Sequence, residues 1–204
     1  MLQKGLRHGP PGPNGIHLCV DMQRMFGPGY PWAMIWLERI LPKVVALCAH
    51  NPARTIFTRF LPPPSSDHAS GTWRAYYRKW EEVTLDRMGT EGIALLPVLE
   101  GFVPPAQLVD KTVYSPWHDP ALRTILNRGG VDTLIITGGE TDVCVLATAL
   151  GAIDLGYRVI LIEDALCSSS DRTHDNLIDL YATRFDIQIE TSTTEEMLDC
   201  WPGA

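Results

Sequence analysis

Short apolar segments alternate with amphipathic helical patterns from residue 16 onward, and this alternation restricts the fold more than any other feature. Apolar side chains between Leu37 and Cys48 recur at the spacing of one helical face. The apolar segments, which are apolar on both faces as buried parallel strands are, are residues 16–20, 55–58, 108–109, 134–137, 159–162 and 187–189. We therefore predict an α/β fold, an open, mostly parallel six-stranded sheet with helices on both faces.

Capping signals mark several helix boundaries. Asp119 followed by Pro120 predicts an N-cap, and Gly129 and Gly156 stand where helices should end. The sequence Thr193-Thr194-Glu195-Glu196 predicts a capping box. Residues 1–15 are rich in Pro and Gly, which predicts a flexible N-terminal arm. We predict that residues 16–204 form a single domain.

The segment of residues 61–92 is too long to be an ordinary connection between two elements of a compact domain. The segment opens with Pro62-Pro63-Pro64 and contains Trp73, Tyr76, Tyr77 and Trp80. We expect it to be a lid, a substrate loop or an oligomer contact.

The charge balance limits the partners of the protein. The 204 residues include 17 Lys and Arg against 24 Asp and Glu, which gives a net charge of −7. Such a surface repels nucleic acid and anionic lipid, and we predict no binding to either. No apolar segment approaches the roughly 20 residues of a membrane helix. The five cysteines are odd in number and widely spaced, which favours a reducing compartment, and we expect a cytoplasmic protein.

Three reactive side chains follow three different predicted strands. Asp21 comes after the first strand, Lys111 after the third, and Cys144 after the turn that follows the fourth. The carboxyl ends of parallel strands form the ligand site of open α/β sheets. Each residue alone also fits a structural role, as packing, turn or surface residue. Together they indicate a thiol nucleophile, a base and a cation that orients them.

The position of Cys144 in the first turn of a predicted helix adds to this interpretation. Free backbone N–H groups and the helix dipole favour a thiolate there and can bind an oxyanion.

The sequence resembles the isochorismatase-like superfamily of cysteine hydrolases, which includes nicotinamidases and carbamoylsarcosine and ureido amidohydrolases. The resemblance covers roughly residues 15–198. The matching motifs, in family order, are His17–Phe26, Asp110–Ser115, Gly138–Val145, Gly156–Val159 and Asp164–Ser170.

The resemblance implies a three-layer, Rossmann-like fold with a catalytic triad of Cys144, Asp21 and Lys111. It also implies a cis peptide between Gly139 and Glu140, and an oxyanion hole formed by the N–H groups of Glu140 and Cys144. The implied reaction is hydrolysis of a C–N bond in a small amide, carbamoyl or ureido compound through a thioester. Because members of the superfamily commonly form dimers or tetramers, a homo-oligomer is expected.

No metal or other cofactor is expected. Nicotinamidases in this superfamily carry an Asp-x-His metal site after the second strand, where this chain has only the adjacent pair Asp67 and His68. Two adjacent side chains diverge and cannot form a three-ligand site alone. Gly138-Gly139 is no phosphate loop, because Glu140 and Asp142 place negative charge beside it.

Aromatic residues are the candidates for the walls of a substrate pocket. Each could equally pack in the core or at an interface. Arg74 or Arg78 could pair with a carboxylate of the substrate. The candidate pocket residues are Phe26, Trp73, Tyr77, Tyr114 and Trp117.

Two other functions remain open on the sequence. The first is isochorismatase-type hydrolysis of a vinyl ether, which would use Asp21 without the thiol and would survive Cys144→Ala. The second is a non-catalytic scaffold in which Cys144 senses oxidation. The identity of the substrate is not predicted.

Overall fold

The chain forms one six-stranded sheet in a computed structural model that describes residues 5–204. The strands are Gly15–Val20 (β1), Thr55–Phe60 (β2), Gln107–Lys111 (β3), Thr133–Gly139 (β4), Arg158–Cys167 (β5) and Ile189–Ser192 (β6). Their order across the sheet is β3-β2-β1-β4-β5-β6, and all five neighbouring pairs are parallel. The predicted parallel α/β sheet is confirmed.

Helices cover both faces of this sheet, as predicted. The side chains of β1 show the division, because Ile16 and Leu18 belong to the buried apolar cluster on one face while Cys19 belongs to the cluster on the other. No helix among residues 5–204 is long and apolar enough to cross a membrane. The helices are Leu37–His50 (α1), Gly71–Lys79 (α2), Leu85–Met88 (α3), Pro97–Glu100 (α4), Pro120–Arg128 (α5), Cys144–Asp154 (α6), Asp171–Arg184 (α7) and Thr194–Cys200 (α8).

The predicted helix boundaries lie close to the observed ones. The Asp119 side chain accepts a hydrogen bond from the Ala121 N–H at the start of α5, and Gly129 follows the last residue of that helix. Thr193 caps α8 by accepting from the Glu196 N–H. The capping box is only half formed, because the Glu196 carboxylate accepts from the Ser192 hydroxyl at 2.7 Å and not from the backbone N–H of Thr193.

The last strand is displaced from its predicted position. The apolar segment 187–189 predicts a strand, but β6 begins at Ile189 and Ile187 is 80% exposed. Polar residues complete β6, and Glu190 is buried because Arg158 of β5 donates to its carboxylate at 2.6 Å. A periodicity argument misses a strand whose buried residues are polar.

Residues 5–14 of the predicted N-terminal arm (residues 1–15) pack against this edge of the sheet, and residues 1–4 lie outside the described part. Flexibility of the arm stays a prediction. The Arg7 guanidinium donates to the Ile189 carbonyl at 2.8 Å, and the Arg158 guanidinium donates to the Gly9 carbonyl at 2.6 Å. The segment therefore covers part of the edge strand β6, where free backbone groups would otherwise pair with another chain.

Residues 61–92, the segment that is too long for an ordinary connection, contain two helices, α2 and α3. Trp73 of α2 packs on Tyr114, which follows β3, with their ring centroids 4.9 Å apart. The segment thus lies near the carboxyl edge of the sheet. Its function as a lid or an interface stays a prediction.

Candidate active site

The sheet brings the three predicted reactive residues to one place. Asp21 follows β1, Lys111 is the last residue of β3, and Cys144 is the first residue of α6, which follows β4. Strand β1 pairs with β2 on one side and with β4 on the other, so the strand order reverses at this point. Ligands of open α/β sheets bind at such a reversal.

Lys111 contacts both other members of the group. Its Nζ donates to Asp21 Oδ2 at 2.6 Å and to Cys144 Sγ at 3.3 Å. The three residues are 4%, 0% and 5% exposed, respectively. A buried ion pair is stable only when its remaining polar positions are also satisfied.

A threonine of β2 satisfies the second carboxylate oxygen of Asp21. Thr58 Oγ1 donates to Asp21 Oδ1 at 2.6 Å, and the Asp21 N–H donates to the Thr58 carbonyl at 3.2 Å. Asp21 has a φ of 51°, a left-handed conformation that is uncommon outside glycine. Lys111 and Thr58 thus hold the carboxylate in one orientation from two sides.

Burial sets the charge state of the thiol. It raises the pKa of Cys144 well above the usual value, the charge of Asp21 raises it further, and the charge of Lys111 opposes both. Burial lowers the pKa of Lys111, but the charges of Asp21 and Cys144 outweigh it, so this pKa is raised. The raised pKa of Cys144 keeps its proton on the thiol at neutral pH, beside the salt bridge of Lys111 and Asp21. Burial thus opposes the thiolate that the helix N-terminus favours.

The backbone N–H groups of Glu140 and Cys144 lie at the turn that carries the thiol. Neither has a hydrogen-bond partner within residues 5–204. The N–H groups of Val143 and Val145 both donate to the Glu140 carbonyl, which shapes the turn around them. The peptide bond between Gly139 and Glu140 is cis, as the resemblance implied. The turn therefore leaves two donors available next to Sγ.

A cavity of about 330 Å³ opens beside Cys144. Of the predicted pocket residues, Phe26 and Tyr114 line it. Glu140, which was predicted only for its N–H group, also lines the cavity. The remaining lining residues were not predicted as pocket residues, and they are Pro31, Trp32, Phe60, Tyr76, Trp80, Asp142, Val143 and Ser169.

The structure places the other three predicted pocket residues elsewhere. Trp73 and Tyr77 line a second cavity of about 470 Å³, next to the proline segment that follows β2. The Trp117 indole donates to the Thr148 carbonyl of α6 at 2.9 Å and stacks on Tyr157. Trp117 thus packs along α6, one turn away from Cys144, and is not part of the cavity wall.

Helix α2 explains why Tyr76 and Trp80, and not Trp73 and Tyr77, line the cavity beside Cys144. Tyr76 and Tyr77 are neighbours in the chain, yet Tyr76 lines the cavity while Tyr77 is 2% exposed and belongs to the core. Trp80 lies one turn beyond Tyr76 and also lines the cavity. Four aromatic residues at helical spacing predict an apolar face but not which side of it meets the cavity.

The residues considered as metal ligands do not form a cluster. His68 lines the second cavity, and its Nδ1 lies 3.0 Å from Ser65 Oγ. The described part of the chain has no group of three or more His, Cys, Asp or Glu side chains arranged to hold a metal ion. Metal independence stays a prediction for the assay described below.

A family comparison identifies the class of protein. The isochorismatase domain model matches residues 16–194, so the chain belongs to the isochorismatase family. It is a hydrolase of this family, which confirms the enzyme class and the resemblance read from the motifs.

Particular relatives add detail. The chain is 28% identical to Nicotinamidase 3 of Arabidopsis thaliana, over 78% of this chain and 75% of that protein. Among solved structures, it superposes on a cysteine hydrolase from Pseudomonas syringae pv. phaseolicola with a TM-score of 0.79 and 23% identity, covering 96% of each chain. N-carbamoylsarcosine amidase from Thermoplasma acidophilum gives a TM-score of 0.72 at 20% identity, covering 89% of this chain and 96% of that one. At these identities the two structures show a shared fold.

Proposed function

We propose that this hydrolase cleaves a C–N bond of a small amide, carbamoyl or ureido compound through a thioester on Cys144, without a metal. The observation that carries the proposal is the buried contact of Lys111 Nζ with both the Asp21 carboxylate and the Cys144 thiol. Two of the similar proteins, a nicotinamidase and an N-carbamoylsarcosine amidase, are named for reactions of this kind.

In the first step, Cys144 Sγ attacks the carbonyl carbon of the substrate while Asp21 takes the thiol proton. Because the resting thiol is neutral, its nucleophilicity depends on this base. Lys111 stays charged and remains next to the reacting atoms. The N–H groups of Glu140 and Cys144 bind the oxyanion that forms on the carbonyl oxygen.

In the second step, the tetrahedral intermediate collapses to a thioester. Asp21 returns its proton to the leaving nitrogen, which departs as ammonia or an amine. A water molecule then attacks the thioester and gives a proton to Asp21. Release of the acid product breaks the C–S bond, and Sγ recovers the proton, so the enzyme returns to its starting state.

Ammonia release from a panel of small amides, carbamoyl compounds, ureas and nicotinamide tests the proposal. We expect activity in the wild type with a chelator present, loss of at least about a hundredfold in Cys144→Ala, and full activity in the control Cys200→Ala. Cys200 lies in α8 and does not line the cavity. Activity that disappears with the chelator would remove the claim of metal independence.

The alternatives from the sequence predict different results. Vinyl-ether hydrolysis would survive Cys144→Ala and be lost in Asp21→Asn. A redox scaffold would hydrolyse nothing in the panel, and oxidation would change its assembly. The expected homo-oligomer and cytoplasmic location are also proposals, and light scattering of the purified protein measures the first.

A further inference from the structure

The cavity beside Cys144 is built mainly from aromatic rings arranged around one tryptophan. The centroid of the Trp32 ring lies 6.2 Å from that of Phe26, 5.7 Å from that of Tyr76 and 6.3 Å from that of Trp80. Tyr114 closes another side of the same cavity. The faces of such rings carry negative partial charge and attract cations.

Two carboxylates share this wall. Glu140 accepts a hydrogen bond from the Ser169 N–H at 3.3 Å, and Asp142 accepts one from the Ser168 hydroxyl. Neither carboxylate forms a salt bridge with a described residue. Burial raises the pKa of Glu140; the Ser169 N–H opposes this rise and the charge of Asp142 adds to it. A cation in the cavity would stabilise the ionised form of Glu140.

The lining contains no Lys, Arg or His. The two arginines considered as partners of a substrate carboxylate, Arg74 and Arg78, are not part of it, and Arg74 Nε donates to the Ala69 carbonyl. Lys111 is neutralised by Asp21, so the catalytic group does not offset the two acidic side chains. None of the lining residues can serve as the counter-ion of an anionic substrate.

Two lysines of the chain already contact rings of this wall. Lys111 Nζ lies 5.0 Å from the centroid of Phe60, and Lys79 Nζ lies 5.1 Å from that of Trp80. These distances are within the range of cation–π contacts. Phe26, Trp32, Tyr76 and Tyr114 form no such contact with a described residue.

We propose that the substrate is a cationic amide, one that carries an ammonium or quaternary ammonium group near its carbonyl. This inference rests on the proposed function, because the Cys144 thiol fixes where the carbonyl lies. The aromatic faces and the two carboxylates then hold the positive group. A volume of about 330 Å³ admits a molecule of roughly ten non-hydrogen atoms.

A matched pair of amides separates charge from shape. Trimethylammonioacetamide and 3,3-dimethylbutanamide have the same branched outline and differ by replacement of N⁺ with carbon. We measure kcat/KM for both, each divided by its rate of spontaneous hydrolysis, because the positive group also activates the carbonyl chemically. The wild type should prefer the cation by about tenfold, the range of desolvated cation–π contacts. A ratio of corrected kcat/KM values, cation over neutral amide, of one or less would overturn the inference.

Two charge-removing variants and a control locate the preference. In Asp142→Asn and in Glu140→Gln the ratio of cation to neutral isostere should fall severalfold toward one. Glu82→Gln removes the same charge from an exposed residue that does not line the cavity, and it should keep the wild-type ratio. Equal ratios in the wild type and both cavity variants would show that these carboxylates do not select the substrate.

A binding measurement distinguishes failure of this inference from failure of the proposed function. Calorimetry on Cys144→Ala compares the affinities of the two amides without turnover. Tighter binding of the cation, with no hydrolysis by the wild type, would support the cationic site and overturn the proposed chemistry. Hydrolysis of both amides with equal affinity would overturn the inference and leave the proposed function standing. Binding of neither amide would overturn the cationic site.

Discussion

At the level of single residues, the chemistry depends on a thiol whose pKa is raised and on the salt bridge between Lys111 and Asp21 beside it. Burial and the charge of Asp21 keep the Cys144 proton in place, while Lys111 limits the effect. Thr58 and Lys111 occupy both oxygens of Asp21. The carboxylate that accepts the thiol proton is therefore held in one orientation by two donors.

The first prediction concerns Asp21→Asn. This change removes a charge that raises the pKa of Cys144 and leaves the Lys111 charge that lowers it. Alkylation of Cys144 by iodoacetamide, followed by mass spectrometry of its peptide, should shift to lower pH, while amide hydrolysis falls by about 10²–10⁴. Lys111→Met serves as a control with the opposite expected shift. It removes the charge that lowers the pKa of Cys144, so alkylation should move to higher pH. Slower alkylation of Asp21→Asn at every pH would contradict this account of the site.

The second prediction concerns Thr58, a positioning residue that the sequence did not single out. Thr58→Val removes the hydroxyl that donates to Asp21 Oδ1. A lost hydrogen bond to a charged group costs about 1.5–3 kcal/mol, so kcat should fall about tenfold or more with little change in KM. Thr58→Ser restores the donor and should restore most of kcat. A defect that Ser does not repair would point to packing of the Thr58 methyl group.

At the level of elements, the close approach of β4 to β1 places the thiol near the carboxylate. Gly138 near the end of β4 has a φ of 101°, and a Cβ there would overlap the Val20 carbonyl of β1. Asp21 is the next residue after Val20. The absence of a side chain at Gly138 therefore permits the geometry of the reactive group.

The third prediction compares two glycines with positive φ. Gly138→Ala combines left-handed strain with the backbone overlap and should lower the free energy of unfolding by about 3 kcal/mol. Gly130 also has a positive φ but has open space around its Cα, so Gly130→Ala should cost only about 1 kcal/mol. Urea unfolding measures both. Equal losses would show that the contact with β1 contributes nothing.

At the level of the whole molecule, the N-terminal segment and β5 jointly bury the polar edge strand β6. The Glu190 carboxylate accepts from the Arg158 guanidinium at 2.6 Å and 3.0 Å and from the His8 N–H at 3.2 Å. Burial raises the pKa of Glu190, but these hydrogen bonds outweigh it and the pKa is lowered. The ionised carboxylate thus connects three parts of the chain.

The fourth prediction follows from this lowered pKa. A group whose pKa is lower in the folded state stabilises the fold above its unfolded pKa, here about 4.5, and loses this effect as the pH falls through the folded value. Glu190→Gln should therefore lower Tm clearly at pH 7 and progressively less below about pH 4.5. Glu91→Gln, which removes an exposed partner of Arg24, should change Tm little at either pH. A Tm difference independent of pH would refute the role of the Glu190 charge.

The sequence by itself determined the parallel α/β architecture and the placement of Asp21, Lys111 and Cys144 at one edge. Strand and helix periodicities are local, and parallel topology brings the carboxyl ends of strands together wherever they occur in the chain. Only the tertiary structure decided that Tyr76 and not Tyr77 lines the cavity, and that burial raises the pKa of the Cys144 thiol. Orientation and pKa depend on burial and on charges from distant segments, which no local pattern of residues encodes.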